Sequence, residues 1–207
     1  MIRMETFNFI ICISALFHST YGDDGGTPML DTETQNYLVD LHNLLRRSVD
    51  PTAKDMLKME WSPGAALNAQ NAAAKCVMQH SSATERQIQD PFNYVCGENI
   101  YVTTAKPDWA AAVNSWFNER NDFTYGVGPN SDKMIGHYTQ VAWAKTYLLG
   151  CGLAFCPGNY YPYVSICHYC PMGNMINSIK TPYEAGEWCA SCPESCEDKL
   201  CTSNPTA

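Results

Sequence analysis

The chain has 207 residues, of which 45% are hydrophobic and 16% charged, and its formal net charge is −8. This length suffices for one good-sized core and a small appendage. No stretch is rich in lysine or arginine. The sequence therefore excludes a nucleic-acid-binding protein and disfavours attachment to an anionic membrane, because both need a basic face.

The N-terminus is typical of a secretory signal peptide. Arg3 precedes an apolar stretch over 7–17, and the small residues Thr20 and Gly22 precede a cleavage site after Gly22. The apolar stretch is shorter than the roughly 20 residues that span a bilayer. We therefore expect residues 1–22 to be removed and the mature protein to be secreted, extracellular and without a transmembrane anchor.

The cysteine count agrees with an oxidising compartment. One of the eleven cysteines, Cys12, lies in the predicted signal peptide, and the remaining cysteines form an even set. In a secreted chain this set indicates five disulfides, although the sequence alone does not give their pairing.

Three helices are predicted in the first two thirds of the chain. Residues 34–47 carry apolar side chains at three- and four-residue steps. Ser62 is a preferred N-cap residue and Pro63 suits the first helical position. Together they predict the start of an alanine-rich helix over 63–79. A third helix begins after Asp108 and presents Trp109 and Trp116 on its apolar face.

The last third of the chain changes character. Residues 150–156 and 161–169 are short, β-branched and aromatic, which predicts two strands around a loop at 157–159. The first strand carries two cysteines of opposite parity, and so does the second if it continues to Cys170. We therefore expect disulfides on both faces of the sheet. From residue 181 onward aliphatic residues are scarce and four cysteines crowd together, so disulfides must hold this tail.

Four phrases of the sequence resemble the CAP superfamily, which includes the cysteine-rich secretory proteins. They are Gly-Glu-Asn-Ile-Tyr at 97–101, Gly-His-Tyr-Thr-Gln-Val-Ala-Trp at 136–143, Gly-Cys-Gly at 150–152, and Cys-His-Tyr-Cys-Pro-Met-Gly-Asn at 167–174. The resemblance implies an α+β protein: a three-layer α-β-α sandwich over 23–180, followed by a cysteine-rich hinge over 181–207.

The resemblance also implies the disulfide pairing. It pairs Cys76 with Cys156, Cys96 with Cys170, Cys151 with Cys167, Cys189 with Cys196, and Cys192 with Cys201. The alternative for the hinge is a zinc-binding cysteine cluster, but secretion favours disulfides.

The chain departs from the family where it ends. Full-length relatives continue into an ion-channel-regulatory domain, and we expect no such domain here, which puts channel block in doubt. This short form resembles the family's sperm chemoattractants of amphibian egg jelly. The resemblance implies a monomer that acts in chemotaxis and fertilisation through a receptor on the sperm surface.

The family's central cleft holds two histidines and two glutamates, which correspond here to His80, Glu98, Glu119 and His137. This set suits weak or conditional zinc binding, with the carboxylates either ligating the ion or orienting the histidines. The alternative is a hydrogen-bonded polar cluster that joins the helices to the sheet. No cofactor is required under either interpretation.

We expect no enzymatic activity, because the sequence offers no evident nucleophile beside these residues. The competing functions are a metal-dependent hydrolase or protease that uses the cluster, and a lipid or sterol carrier. His42 and His168 are interpreted as structural residues. Three tyrosines, Tyr160, Tyr161 and Tyr163, form either an exposed patch or part of the core.

Overall fold

The computed structural model describes residues 29–202, so the predicted signal peptide and the end of the hinge at 203–207 lie outside the described residues. Four α-helices and ten short strands make up this part of the chain. In chain order they are α1 (Thr32–Arg46), β1 (Glu60–Trp61), α2 (Pro63–Ala74), β2 (Gln87–Ile88), β3 (Tyr94–Val95), β4 (Gly97–Thr103), α3 (Trp109–Asn118), β5 (Phe123–Thr124), β6 (Gly128–Pro129), α4 (Gly136–Val141), β7 (Leu148–Phe155), β8 (Tyr163–Cys170), β9 (Cys196–Glu197) and β10 (Leu200–Cys201).

The central sheet has four strands in the order β1-β7-β8-β4. Strand β8 pairs antiparallel with both β7 and β4, while β1 pairs parallel with β7. Helix α2 packs on one face of the sheet, and α1, α3 and α4 enclose the core on the other face. The predicted α-β-α sandwich is confirmed.

Helix α2 lies unusually close to the sheet because β7 presents glycines to it. A Cβ atom on Gly150 would lie 2.0 Å from the backbone nitrogen of Ala66, and one on Gly152 would lie 2.4 Å from the Cα of Gln70. Only glycine on the strand and small residues on the helix permit this approach. The alanine-rich sequence of α2 is therefore a packing requirement as well as a helix-forming one.

The prediction that this helix runs to residue 79 was wrong. Helix α2 ends at Ala74, and Cys76 adopts φ 59° in the left-handed region, which stops the helix. Cys76 is also bonded to Cys156, so the chain turns away from the helix axis where the disulfide anchors it. Strand β4, which the sequence patterns did not predict, follows and completes the sheet.

Residues 29–202 contain five disulfides, and they join the same cysteines that the resemblance implies. The Cys151–Cys167 bond links β7 to β8 in the core beneath α1 and α3, whereas Cys170 bonds Cys96 on the opposite face. The two remaining bonds, Cys189–Cys196 and Cys192–Cys201, lie in the hinge. Their sulfurs are bonded to each other, which leaves no thiolate for a zinc cluster.

The described part of the hinge packs against the sandwich. Leu200 is fully buried in the main core, and the amide of Cys201 donates to the carbonyl of Met56 at 2.8 Å. Ala185 also forms a β-bridge with Ala53. No helix within residues 29–202 combines the length and apolar character needed to cross a bilayer.

Arg46, at the end of α1, is a buried cation that holds several loops together. Its guanidinium donates hydrogen bonds to five carbonyl oxygens, which belong to Leu57, Val141, Trp143, Ala144 and Thr146. Burial lowers the pKa of Arg46 to about 9, so the side chain is still a cation at neutral pH. The planar fork of five N–H donors matches this set of carbonyls, whereas the compact ammonium of lysine does not.

Replacing Arg46 by lysine should therefore lower the free energy of unfolding by at least about 2 kcal/mol, because buried carbonyls lose their donors. Urea denaturation monitored by tryptophan fluorescence measures the change. The control is Arg47→Lys, where the neighbouring side chain forms a surface ion pair with Asp198 and the expected change is below about 1 kcal/mol. Equal losses for the two variants would contradict this role of Arg46.

Candidate functional site

The first half of the site is a carboxylate that accepts several hydrogen bonds. Glu98 is the second residue of β4, and its side chain is fully buried. Its Oε1 accepts from His80 Nδ1 and from the Ser81 amide, both at 2.9 Å. Its Oε2 accepts from the Ser81 hydroxyl at 2.8 Å. Glu98 thereby fastens the loop after α2 to the sheet.

His168 supports Glu98 from within the sheet. The two residues are register partners on β8 and β4, and His168 Nε2 donates to Glu98 Oε2 at 3.0 Å. The other ring nitrogen, Nδ1, is buried and has no hydrogen-bond partner among the described residues. A carboxylate only accepts, so this geometry assigns the proton of His168 to Nε2.

The surroundings fix the charge of both groups. Burial acts to raise the pKa of Glu98, but hydrogen bonds from His168, His80 and the Ser81 amide outweigh it and hold that pKa far below its ordinary value. Burial lowers the pKa of His168 despite the neighbouring carboxylate. Glu98 is therefore an anion and His168 a neutral donor at physiological pH.

The second half of the site pairs Glu119 with His137. Glu119 begins a 3₁₀ turn directly after α3, and His137 lies in the first turn of α4. Glu119 Oε1 accepts from His137 Nδ1 at 2.6 Å, and Oε2 accepts from the backbone amides of His137 and Tyr138 at 2.9 and 3.1 Å. The indole ring of Trp116 stacks on the imidazole with 6.4 Å between ring centroids.

Both histidines line one cavity of about 300 Å³. Glu98, Asn99 and Met134 also line it, whereas Glu119 lies behind His137. In each histidine Nδ1 is bound to a carboxylate, and neither Nε2 has a hydrogen-bond partner among the described residues. The sequence left open whether the carboxylates ligate a metal or orient the histidines, and this geometry favours orientation.

The metal-binding interpretation has a geometric limit. Among the described residues, no three of the four predicted side chains bring one ligand atom each within 4.8 Å of one another. The His80 side chain is 62% exposed and that of His137 is 23% exposed, so His80 is the less confined of the two. A metal held here would use the two Nε2 atoms, with the carboxylates behind them.

A chain of hydrogen bonds connects helix α1 to the site. His42 Nδ1 donates to the carbonyl of Leu38 at 2.7 Å, and its Nε2 accepts from the Tyr169 hydroxyl at 2.9 Å. Asn99 donates from one amide nitrogen to the Tyr169 hydroxyl and to the carbonyl of His137. Burial lowers the pKa of His42 to about 4, so its ring is neutral within this chain.

The structural interpretation of His42 is therefore confirmed, whereas His168 does more than pack, because it holds Glu98. Sequence reasoning also missed Ser81, Asn99 and Asn174. Asn174 fastens the first turn of α4 by donating to the carbonyl of Gly136 and accepting from the Thr139 hydroxyl. No local pattern marks these residues, since their partners lie far away in the sequence.

The tyrosine patch is on the surface. Tyr160 is 80% exposed and packs edge-on against Tyr161 at 4.8 Å between ring centroids. Phe155 is 59% exposed and contacts Tyr163 across the β7–β8 pair. The aromatic tip, defined by these four residues, stands at the closed end of the β7–β8 hairpin.

Comparison with known proteins identifies relatives of the whole described fold. A family model described as CAP, the cysteine-rich secretory protein family, matches residues 39–169. Cysteine-rich secretory protein 3 of Homo sapiens is 47% identical over 185 residues, which cover 87% of this chain and 74% of that protein. The protein of the same name from Equus caballus is 43% identical over 209 residues, with 99% and 84% covered.

Solved structures agree with these matches. Na-ASP-1 is similar with a TM-score of 0.69 and 32% identity, over 86% of this chain and 48% of that one, so this chain spans about half its length. NaASP2, solved with Zn²⁺, is similar with a TM-score of 0.68 and 30% identity, over 87% of this chain and 99% of that one.

The buried histidines make stability depend on pH. Burial gives such a histidine a lower pKa in the folded protein than in the unfolded chain. As the pH falls, the unfolded chain therefore takes up a proton first, and the free energy of unfolding decreases. His42 has a pKa of about 4 in the folded protein. Its contribution should therefore lower the free energy of unfolding by about 2 kcal/mol between pH 7 and pH 5. His168 acts in the same direction.

Urea denaturation at the two pH values measures this loss. The variant His42→Gln removes the contribution of His42 and should show a smaller drop between pH 7 and pH 5 than the wild-type protein. A stability that is unchanged, or that rises, on acidification to pH 5 would contradict a neutral buried His42.

Proposed function

The chain belongs to the CAP family of cysteine-rich secretory proteins, and from this premise we propose that it is a secreted signalling ligand that attracts sperm through a receptor on the sperm surface. Its relatives are named cysteine-rich secretory proteins. The proposed role in attracting sperm rests on the resemblance of this chain to allurin, a sperm chemoattractant of amphibian egg jelly. We also propose that the protein works by binding and not by catalysis.

The observation that carries the signalling proposal is the aromatic tip. Exposed tyrosine and phenylalanine side chains on a rigid hairpin supply large contact areas at a small entropic cost. The hairpin is rigid because the Cys151–Cys167 bond crosses it and the Cys76–Cys156 bond anchors its end. A receptor pocket that takes up Tyr160 and Tyr161 would bury side chains that are 80% and 38% exposed in the free protein.

The hydrogen bonds around Glu98 support a binding function over hydrolysis. A serine nucleophile paired with a histidine needs its hydroxyl to donate to that histidine, which acts as the base. Here Ser81 and His80 both donate to the same carboxylate, Glu98, and neither activates the other. The Glu98 anion is saturated with donors, which makes it a poor general base.

A gradient assay tests the signalling proposal. Sperm should migrate across a porous membrane toward the purified, oxidised protein, and a uniform concentration on both sides should give no directed migration. The double variant Tyr160→Ser/Tyr161→Ser should lose most of this response, since an interface aromatic contributes about 2 kcal/mol, or roughly 30-fold in affinity.

The matched control replaces two exposed apolar residues outside the tip, Val127→Ser and Ile176→Ser, which are 62% and 91% exposed. This control should attract sperm as well as the wild-type protein does. Absence of migration toward the folded wild-type protein would refute the signalling function. Full activity of the tyrosine variant would refute only the assignment to the aromatic tip.

Zinc binding is a second candidate function, favoured by the carboxylate–histidine pairs. A carboxylate bound to Nδ1 fixes the imidazole tautomer with Nε2 unprotonated, which is the arrangement found behind zinc-ligating histidines. The similar protein NaASP2 was solved with Zn²⁺. A zinc ion held by Nε2 of His80 and His137 would join the loop after α2 to helix α4.

Calorimetric titration of the metal-free protein with zinc at neutral pH tests this binding. The variants His80→Ala and His137→Ala should each abolish the heat of binding. Glu98→Gln keeps both ligands but loses the anion that orients His80, so zinc affinity should fall by about 10- to 100-fold. No heat with the wild-type protein, or unchanged affinity in Glu98→Gln, would contradict the assignment.

A further inference from the structure

The two hinge disulfides lie close enough to exchange partners. The sulfur atoms of Cys189, Cys192 and Cys201 all lie within 4.8 Å of one another, although they belong to two different bonds. Disulfide exchange requires a thiolate to reach a neighbouring disulfide sulfur. Any thiolate formed at Cys189 would therefore have the Cys192–Cys201 bond beside it, at a high effective concentration.

The four hinge cysteines differ in their exposure to solvent as residues. Cys196 is exposed and Cys192 is half-buried, whereas Cys189 and Cys201 are buried. Among the described residues, Cys196 is the one exposed disulfide cysteine, since Cys76 is half-buried and the other five sandwich cysteines are buried. A soluble thiol therefore meets Cys196 before any other sulfur, because access limits the rate of attack.

The backbone at Cys189 favours release of its bond. Cys189 adopts φ 60°, a left-handed conformation that is strained for a residue with a side chain. Two other hinge residues with positive φ, Asp198 and Lys199, occupy the two-residue turn between β9 and β10, where that conformation is the usual one. Cys189 lies at the third position of a turn closed by the hydrogen bond from the Ala190 amide to the Glu187 carbonyl, where a positive φ favours glycine. Cleavage of its disulfide frees the side chain to move.

We propose that Cys196 is a site of reversible modification by low-molecular-weight thiols, and that the hinge responds by an internal disulfide exchange. In the first step a thiolate attacks Cys196 Sγ, the Cys189–Cys196 bond breaks, a mixed disulfide forms on Cys196, and Cys189 leaves as a thiolate. In the second step this thiolate attacks the Cys192–Cys201 bond. A new bond joins Cys189 to one of these sulfurs, and the other leaves as a thiolate that takes up a proton.

No net oxidation of the protein occurs in this sequence, and two disulfides are conserved: one within the hinge and one to the small thiol. The hinge remains attached to the sandwich, because Leu200 stays buried and the Cys201 amide and carbonyl bond Met56 and Lys58. The modification therefore changes the disulfide connectivity of the hinge without unfolding the domain. Attack of a second thiol on the mixed disulfide, followed by the reverse exchange, restores the original pairing.

Peptide mapping by mass spectrometry tests the proposal. The oxidised wild-type protein is incubated with glutathione, free thiols are blocked with an alkylating reagent, and the digest is analysed without reduction. We expect glutathione on Cys196 at least about tenfold more often than on any other cysteine of residues 29–202, because Cys196 is the one exposed cysteine in that range. We expect the alkyl label on one of the two cysteines Cys192 and Cys201. The cysteine of this pair that is not labelled should carry a new disulfide bond to Cys189.

Two variants provide the controls. In Cys192→Ser/Cys201→Ser the acceptor bond is absent, so glutathione should still modify Cys196 while the alkyl label stays on Cys189. In Cys189→Ser/Cys196→Ser no cysteine should be modified at the same glutathione concentration, and circular dichroism verifies that each variant is folded. Glutathione on a sandwich cysteine before Cys196 would overturn the modification site. An alkyl label confined to Cys189 in the wild-type protein would overturn the exchange.

Discussion

The buried carboxylate of Glu98 is the interaction on which the candidate site depends. It is an anion within a sheet, and it persists there because His80, Ser81 and His168 all donate to it. A buried charge without such donors would be neutralised or expelled. The same contacts attach the loop after α2 to β4 and fix the orientation of the His80 ring. The hydrogen bonds that stabilise the Glu98 anion therefore also position the site.

The fold supplies this environment through close packing. The Glu98–His168 pair faces the same side of the sheet as Gly150, its register neighbour on β7. Helix α2 approaches there because Gly150 and Gly152 have no side chains to hold it away. On the opposite face, Arg46 donates hydrogen bonds to carbonyl oxygens of two segments. One segment lies between α1 and β1, and the other runs from the end of α4 toward β7. A tightly layered scaffold with its charges satisfied internally is consistent with the proposal that the protein presents a fixed surface to a partner.

Local patterns in the sequence predicted the elements better than they predicted the contacts between them. The caps Ser62 and Asp108 and the helical spacing of apolar residues placed three helices, because these signals act within a few residues. The end of α2 was missed because a disulfide to a distant cysteine, and not a local breaker, turns the chain at Cys76. The four predicted site residues came from a family resemblance, and the structure divides them into two carboxylate–histidine pairs. His168 was interpreted only as a structural residue, because its hydrogen bond to Glu98 depends on strand register, which no local spacing encodes.

The two carboxylates orient the histidines so that both Nε2 atoms are unprotonated and open to a ligand. Nitrogen-15 NMR of the imidazole rings, recorded near pH 8 where an ordinary imidazole is neutral, measures the tautomer of each histidine directly. We expect a proton on Nδ1 of His80 and of His137, and, as an internal contrast, a proton on Nε2 of His168. A proton on Nε2 of His80 or His137, or averaging between the two tautomers, would contradict it.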